Sequence, residues 1–123
     1  MPSWTPDDRH SVTPRLVAED PAALVRFLRD VFDAKGEFES GRPSEMRIGD
    51  SVVMVSGTDA REPTRSLLYV YVEDVDATYG RALHAGAVSL EEPQPTPWGD
   101  RRAIVKDAFG NNWQIATHDK GAR

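Results

Sequence analysis

Few residues of this chain have side chains suited to chemistry. It has three histidines, at positions 10, 84 and 118, and no cysteine. Without cysteine there are no disulfides, no thiolate metal sites and no cysteine nucleophile. The histidines form no HxH or HExxH spacing of the kind that brings two ligands to one face. His10 falls in an N-terminal arm, His84 on a helix and His118 just past the last strand, and each reads as a solvated surface histidine. No GxSxG elbow, P-loop or GxGxxG run occurs. The chain carries 20 Asp and Glu residues, but spacing alone pairs none of them as acid and base. The remaining candidates are residues placed on strands. Arg15 could clamp a carboxylate or phosphonate, or form an ordinary salt bridge. Tyr69 could donate to a ligand or bridge two strands. Trp98, in a proline-rich loop, reads as a pocket lid or as packing against a partner subunit. Asp100-Arg101 reads as stabilising its own loop or a strand end by ion pairing, a weak contribution. Trp113 reads as core.

The elements that must position these residues are legible from periodicity. Met1 to Ser11 is polar, carries Pro2 and Pro6, and reads as an arm. Val12 to Ala18 is a strand candidate, with Pro14 marking an unpaired edge or a boundary. Asp20-Pro21 is a helix start, and Leu24, Phe27, Leu28, Val31 and Phe32 form an apolar stripe that runs to about Ala34, with Gly36 as the stop. Glu37 to Ser40 is expected as a short exposed strand. Glu45–Ile48 and Ser51–Ser56 are strands joined at Gly49-Asp50. Residues 57–65 are a polar linker. Leu67–Val72 is a strong strand, Asp74 opens a helix to about Ala85, and Val88–Glu91, Arg102–Lys106 and Trp113–Thr117 are strands. Glu92 to Asp100 is expected as a loop, and Asp107 to Asn111 as a tight turn with Gly110 at positive φ. The order is β-α-β-β-β, linker, β-α-β-β-β. A shift of 54 residues carries Glu19-Asp20 onto Glu73-Asp74, an internal repeat of element order.

Length and composition fit one domain of 123 residues with an ordinary core. The net charge of −5 argues against nucleic acid as a partner, since that needs a basic stripe. No apolar run is long enough to span a membrane, and no secretory signal opens the chain. The expected location is therefore cytoplasmic.

Two such modules resemble the vicinal-oxygen-chelate superfamily, which includes glyoxalase I, bleomycin-resistance proteins and extradiol dioxygenases. The most specific residues are Leu68-Tyr69-Val70-Tyr71-Val72-Glu73-Asp74-Val75-Asp76, then Trp98-Gly99-Asp100-Arg101, and Asp107-Ala108-Phe109-Gly110-Asn111-Asn112-Trp113-Gln114. Val12-Thr13-Pro14 with Leu16-Val17-Ala18-Glu19-Asp20 is similar to the front of the PhnB-like branch. Ala108 stands where the family turn usually has proline. The resemblance covers about Val12 to His118. It implies an α+β fold of two βαβββ modules (about 12–56 and 66–118) forming a half-open, barrel-like cup in a single domain, with chains that commonly pair as homodimers.

The resemblance also implies where a metal would be held: one ligand on the first and one on the last strand of each module. These positions fall on Thr13, about Met54, Leu67 and Gln114. Leu67 has no lone pair, Met54 only a soft thioether and Thr13 a weak neutral oxygen, so no metal and no cofactor is expected. If the former ligand positions face inward, strand alternation turns Thr13, Arg15, Val17, Val52, Met54, Leu67, Tyr69, Tyr71, Gln114 and Ala116 the same way. The opposite faces carry Val12, Leu16, Ala18, Val53, Val55, Leu68, Val70, Val72, Trp113 and Ile115, expected to pack under the helices. The expected cavity is that of Thr13, Arg15, Met54, Leu67, Tyr69, Tyr71, Trp98 and Gln114, a composition suited to a small organic ligand. The leading reading is a small-molecule-binding protein without the metal site that sequesters a drug or metabolite. A second reading is an enzyme of the same superfamily (lyase, isomerase or dioxygenase type) using no metal or a non-standard one. A third is a dimeric regulatory or scaffold protein.

Overall fold

A computed structural model describes residues 4–7, 9–58 and 62–118. Parts of the expected arm (1–3 and 8) and linker (59–61) lie outside the described residues. The elements are β1 (Arg15–Val17), α1 (Pro21–Phe32), β2 (Ser44–Ile48), β3 (Ser51–Ser56), β4 (Leu67–Tyr71), α2 (Val75–His84), β5 (Val88–Pro95), β6 (Asp100–Lys106) and β7 (Asn112–His118). The fold is α+β with two open sheets, ordered β1-β3-β2 and β4-β7-β6-β5. The chain divides into two compact units. The first runs to Arg29 and resumes over Asp33–Thr64; the second takes Asp30–Phe32 and everything from Arg65 on.

The repeat read from element order is physical. Asp20 and Asp74, 54 residues apart, are both helix N-caps, and their carboxyls accept from the backbone N–H of Ala23 at 3.0 Å and of Ala77 at 3.1 Å. Each unit then pairs its first strand in parallel with its last. Arg15 stands opposite Met54 in one, and Tyr69 opposite Gln114 in the other. Parallel neighbours need a long crossover, and each helix supplies one.

Several boundaries differ from the sequence expectation. Val12 is 81% exposed and belongs to no strand. The Pro14 carbonyl accepts from Met54 N at 2.9 Å, so the ladder starts there, on an edge strand as Pro14 suggests. Helix α1 ends at Phe32 and not at Ala34, because Asp33 takes the left-handed conformation (φ 54°) that short polar residues tolerate. Gly36 has a different duty. A Cβ there would collide with the Glu45 carbonyl, and its neighbour Lys35 exchanges two backbone hydrogen bonds with Arg47, of 2.9 and 2.8 Å. Residues 37–40 form no strand; their described backbone tie is Glu39 N–H to Ser44 Oγ at 2.8 Å. Strand β5 continues through Pro93 and Pro95, where a loop is expected. It is an edge strand with two register shifts, the setting in which missing N–H donors are tolerated.

The core of the first unit holds Leu16, Leu24, Leu28, Met46 and Val55, each at most 1% exposed; that of the second holds Ala103, Val105, Trp113 and Ile115, all at 0%. Leu68, Val70 and Val72, expected under a helix, are only half-buried. Helix α2 packs over β5, β6 and β7, while β4 lies at the sheet edge beyond them. Asp107 closes the β6–β7 turn. Its Oδ1 accepts from Phe109 N and Asn111 N at 2.8 and 2.9 Å, and its Oδ2 from Asn111 Nδ2 and Trp113 Nε1 at 3.0 and 2.8 Å. Asn111 Oδ1 in turn accepts from Ser66 N at 3.1 Å, tying the start of β4 to the same knot. Asp107→Ala strands four donors, three of them buried, so it is expected to cost about 3 kcal/mol or more in urea unfolding, against about 1 kcal/mol for the helix-cap variant Asp74→Ala. Equal losses would show that the turn is not held by this carboxyl.

Candidate functional site

The second unit's sheet has one face under α2 and another that is open. Strand alternation places Leu67, Tyr69 and Tyr71 of β4 on the open face. The register sets them beside Asn112, Gln114 and Ala116 of β7, with Lys106, Ile104 and Arg102 of β6 next in line. Leu67 is 66% exposed, Tyr71 60% and Trp98 55%, an unusual display of large apolar side chains on one surface.

Asp100 sits at one end of this face, and its side chain is 1% exposed. Its backbone is held by the turn that precedes it. Gly99 N–H returns to the Thr96 carbonyl at 3.3 Å, Thr96 N donates to Asp100 O at 2.7 Å, and Asp100 N donates to Thr96 Oγ1 at 3.0 Å. Pro97 presets the turn, and Gly99 (φ 91°) supplies the positive dihedral that lets the chain re-enter the sheet. The carboxylate then collects four donors. Oδ2 accepts from Tyr69 Oη at 2.6 Å, Tyr71 Oη at 2.9 Å and Trp98 Nε1 at 3.2 Å; Oδ1 accepts from His118 Nδ1 at 2.8 Å. The Tyr69 and Tyr71 rings lie 5.3 Å apart, tilted by 50°, and the Arg102 guanidinium stands 5.3 Å over the Trp98 ring.

The electrostatics follow from these contacts. The Tyr69 hydrogen bond, with those of His118, Tyr71 and Trp98, outweighs the cost of burial and lowers the Asp100 pKa to about 2. Burial, then the hydrogen bond to Asp100, raises the Tyr69 hydroxyl; for Tyr71 that hydrogen bond comes first and burial second. A general base or acid needs a pKa near the working pH. These shifts move the carboxylate and both phenols away from it. The cluster is a fixed anion with aromatic arms.

Of the residues singled out from sequence, the structure brings Tyr69, Tyr71 and Trp98 together on Asp100 and sets Gln114 beside Tyr69. Leu67 shares their face. Thr13, Arg15 and Met54 belong to the first unit, where Arg15 stands opposite Met54 and donates its Nε to Ser56 Oγ at 2.8 Å. Val17, Val52 and Ala116, expected on the cavity side, are buried at 5%, 8% and 0%. Arg101, at the start of β6, makes a two-pronged ion pair with Asp76 at 2.9 and 3.0 Å, and Asp100 pairs with His118. One reading is corrected: His118 is not a free surface histidine but a half-buried partner of Asp100. That role had no local signal, since the pairing of Asp100 with His118 exists only through the β6–β7 register.

The four positions at which the resemblance would place metal ligands do not suit a divalent ion. Leu67 offers hydrocarbon, Met54 a thioether, Thr13 a hydroxyl and Gln114 one amide oxygen, whereas such ions are held by three or more imidazole, carboxylate or thiolate groups. Among the described residues no group of three or more His, Cys, Asp or Glu could hold one.

Fold and sequence now agree on a class. Residues 10–115 match the Glyoxalase/Bleomycin resistance protein/Dioxygenase superfamily, and the chain belongs to it. Among curated relatives, uncharacterized proteins of Mycobacterium bovis and Mycobacterium tuberculosis are 31% identical over 126 residues, covering 85% of this chain and 81% and 72% of theirs. Among solved structures, TioX from Micromonospora sp. ML1 superposes with a TM-score of 0.76 at 28% identity over 89% of this chain and 98% of its own. The fosfomycin resistance protein FosX from Mesorhizobium loti shares the fold, with a TM-score of 0.69 at 20% identity over 91% of this chain and 94% of its own.

Because its folded pKa is depressed, Asp100 contributes its full stabilisation above about pH 4 and loses it as the pH falls towards about 2. Asp100→Asn is therefore expected to cost about 1–3 kcal/mol at pH 7, with the gap from wild type closing below pH 3. Urea titrations at a series of pH values check this, and a gap that stays constant from pH 7 to pH 2 contradicts it.

Proposed function

We propose that this chain is a small-molecule-binding member of its superfamily that works without the family's metal and sequesters an organic ligand, a drug or a metabolite, on the open face of its second unit. The observation that carries the reading is the display of large exposed rings on one surface, fixed by a single buried carboxylate. Leu67, Tyr69, Tyr71 and Trp98 supply apolar area, and the Arg102 guanidinium over the Trp98 ring supplies a polar group beside it. Gln114, half-buried between Tyr69 and Ile104, is a further polar anchor on this face.

The alternative, an enzyme of the same superfamily, draws support from the convergence of Asp100, His118 and two tyrosines. The direction of the pKa shifts favours binding over acid–base chemistry.

The test combines elemental analysis of protein purified without chelator with a thermal-shift screen of planar aromatic compounds. The expected result is less than about 0.1 metal ion per chain and no stabilisation by zinc, nickel or manganese. It also includes at least one compound whose affinity falls about tenfold in Trp98→Ala. Stoichiometric metal, or one ion that raises the melting temperature strongly, would overturn the metal-free reading. Hits that bind Trp98→Ala and Tyr71→Ala as tightly as wild type would overturn the choice of face.

A further inference from the structure

The first unit holds a separate cleft of about 400 Å³, within the size range of small-ligand sites. Its walls come from the start of β1, Glu19, the start of α1, the end of β3 with residues 57–58, and the segment at 38–43. Arg15 enters it with its guanidinium already oriented: Nε donates to the buried Ser56 hydroxyl at 2.8 Å, which leaves the two terminal nitrogens of the fork for another partner. No carboxylate of the described residues pairs with Arg15. Glu19, in the same wall, has no cationic partner among the described residues either. The other two charges of the cleft are already engaged, since Arg42 lies 3.9 Å from Glu39 and 3.8 Å from Glu45. What remains is one oriented cation and one anion that face the same space and do not pair with each other. Pro21, Pro43 and Phe38, the last 44% exposed, line the same cleft.

An anionic ligand would meet Arg15 but be repelled by Glu19, and a cationic ligand would meet the reverse. A zwitterion satisfies both charges at once, and an apolar body on it covers Phe38 and the prolines. We infer that this cleft binds a free amino acid with an aromatic or large apolar side chain, its carboxylate on Arg15, its ammonium on Glu19 and its side chain against Phe38. The charge-assisted pair to Arg15 is the stronger contact because the planar fork is fixed in advance by Ser56.

The probe is L-phenylalanine, with 3-phenylpropionate, which lacks the ammonium, and phenethylamine, which lacks the carboxylate. Binding is followed by amide chemical shifts of the ¹⁵N-labelled full chain. L-Phenylalanine is expected to bind about tenfold more tightly than either control, with shifts at 38–43 and 56–58 and none at Tyr69, Tyr71 or Trp98. Arg15→Gln should erase its advantage over phenethylamine, and Glu19→Gln its advantage over 3-phenylpropionate. Glu19 is exposed and has no ion-pair partner among the described residues, so its variant tests the site without disturbing the fold. No saturable shift with L-phenylalanine, equal affinity for 3-phenylpropionate, or an unchanged preference in Glu19→Gln would each overturn the inference. Shifts confined to the Tyr69–Tyr71 face would overturn it while leaving the proposed function intact.

Discussion

A carboxylate withdrawn from water must be surrounded by donors, and strand β6 has one at each end. Asp100 opens the strand and Asp107 follows its last residue, and each accepts four hydrogen bonds. An unpaired charge at either place would be strongly destabilising. The strands around them therefore have little freedom in register. Asp107 fixes Trp113 on β7 and, through Asn111, the start of β4; Asp100 fixes the far end of β4 through two tyrosines and the end of β7 through His118. The four-stranded sheet is pinned at both ends of its second-to-edge strand.

The two turns that deliver these carboxylates share a construction. Thr96-Pro97-Trp98-Gly99 and Asp107-Ala108-Phe109-Gly110 each close with a backbone bond from the glycine N–H to the carbonyl three residues back, at 3.3 Å in both, and each glycine has a φ above 90°. Ala108 stands where Pro97 stands in the other turn. Both residues suit that place, because it needs an ordinary negative φ and no donor. The difference in rigidity is made up at the second turn by the Asp107 carboxyl, which accepts from two of the turn's own backbone N–H groups.

The Asp100 cluster gathers two phenols, an indole, an imidazole and a carboxylate within hydrogen-bond distance. These contacts keep the carboxylate ionised at neutral pH and make the phenols weaker acids than usual. They also fix the rings in place while Tyr71 and Trp98 stay largely exposed.

The sequence alone determined both helices, seven strands, the two helix caps and the repeat, because these depend on residues within a few positions of one another: Asp20 and Asp74 three residues before the N–H groups they accept from, an apolar run along β3 and alternating apolar residues along β7; it also expected a strand at 37–40 that does not form. It also yielded Tyr69, Tyr71 and Trp98 as candidates from type and alternation. It misplaced the end of α1, because a left-handed Asp33 looks in sequence like any other polar residue. It broke β5 short, because the tolerance of an edge strand for Pro93 and Pro95 depends on which strands are neighbours. Tertiary structure alone decided that Asp100 and His118 matter. They are 18 residues apart and meet only because β6 and β7 run antiparallel in one particular register. A buried charge is recognised by what surrounds it, and what surrounds Asp100 comes from two other strands and a turn.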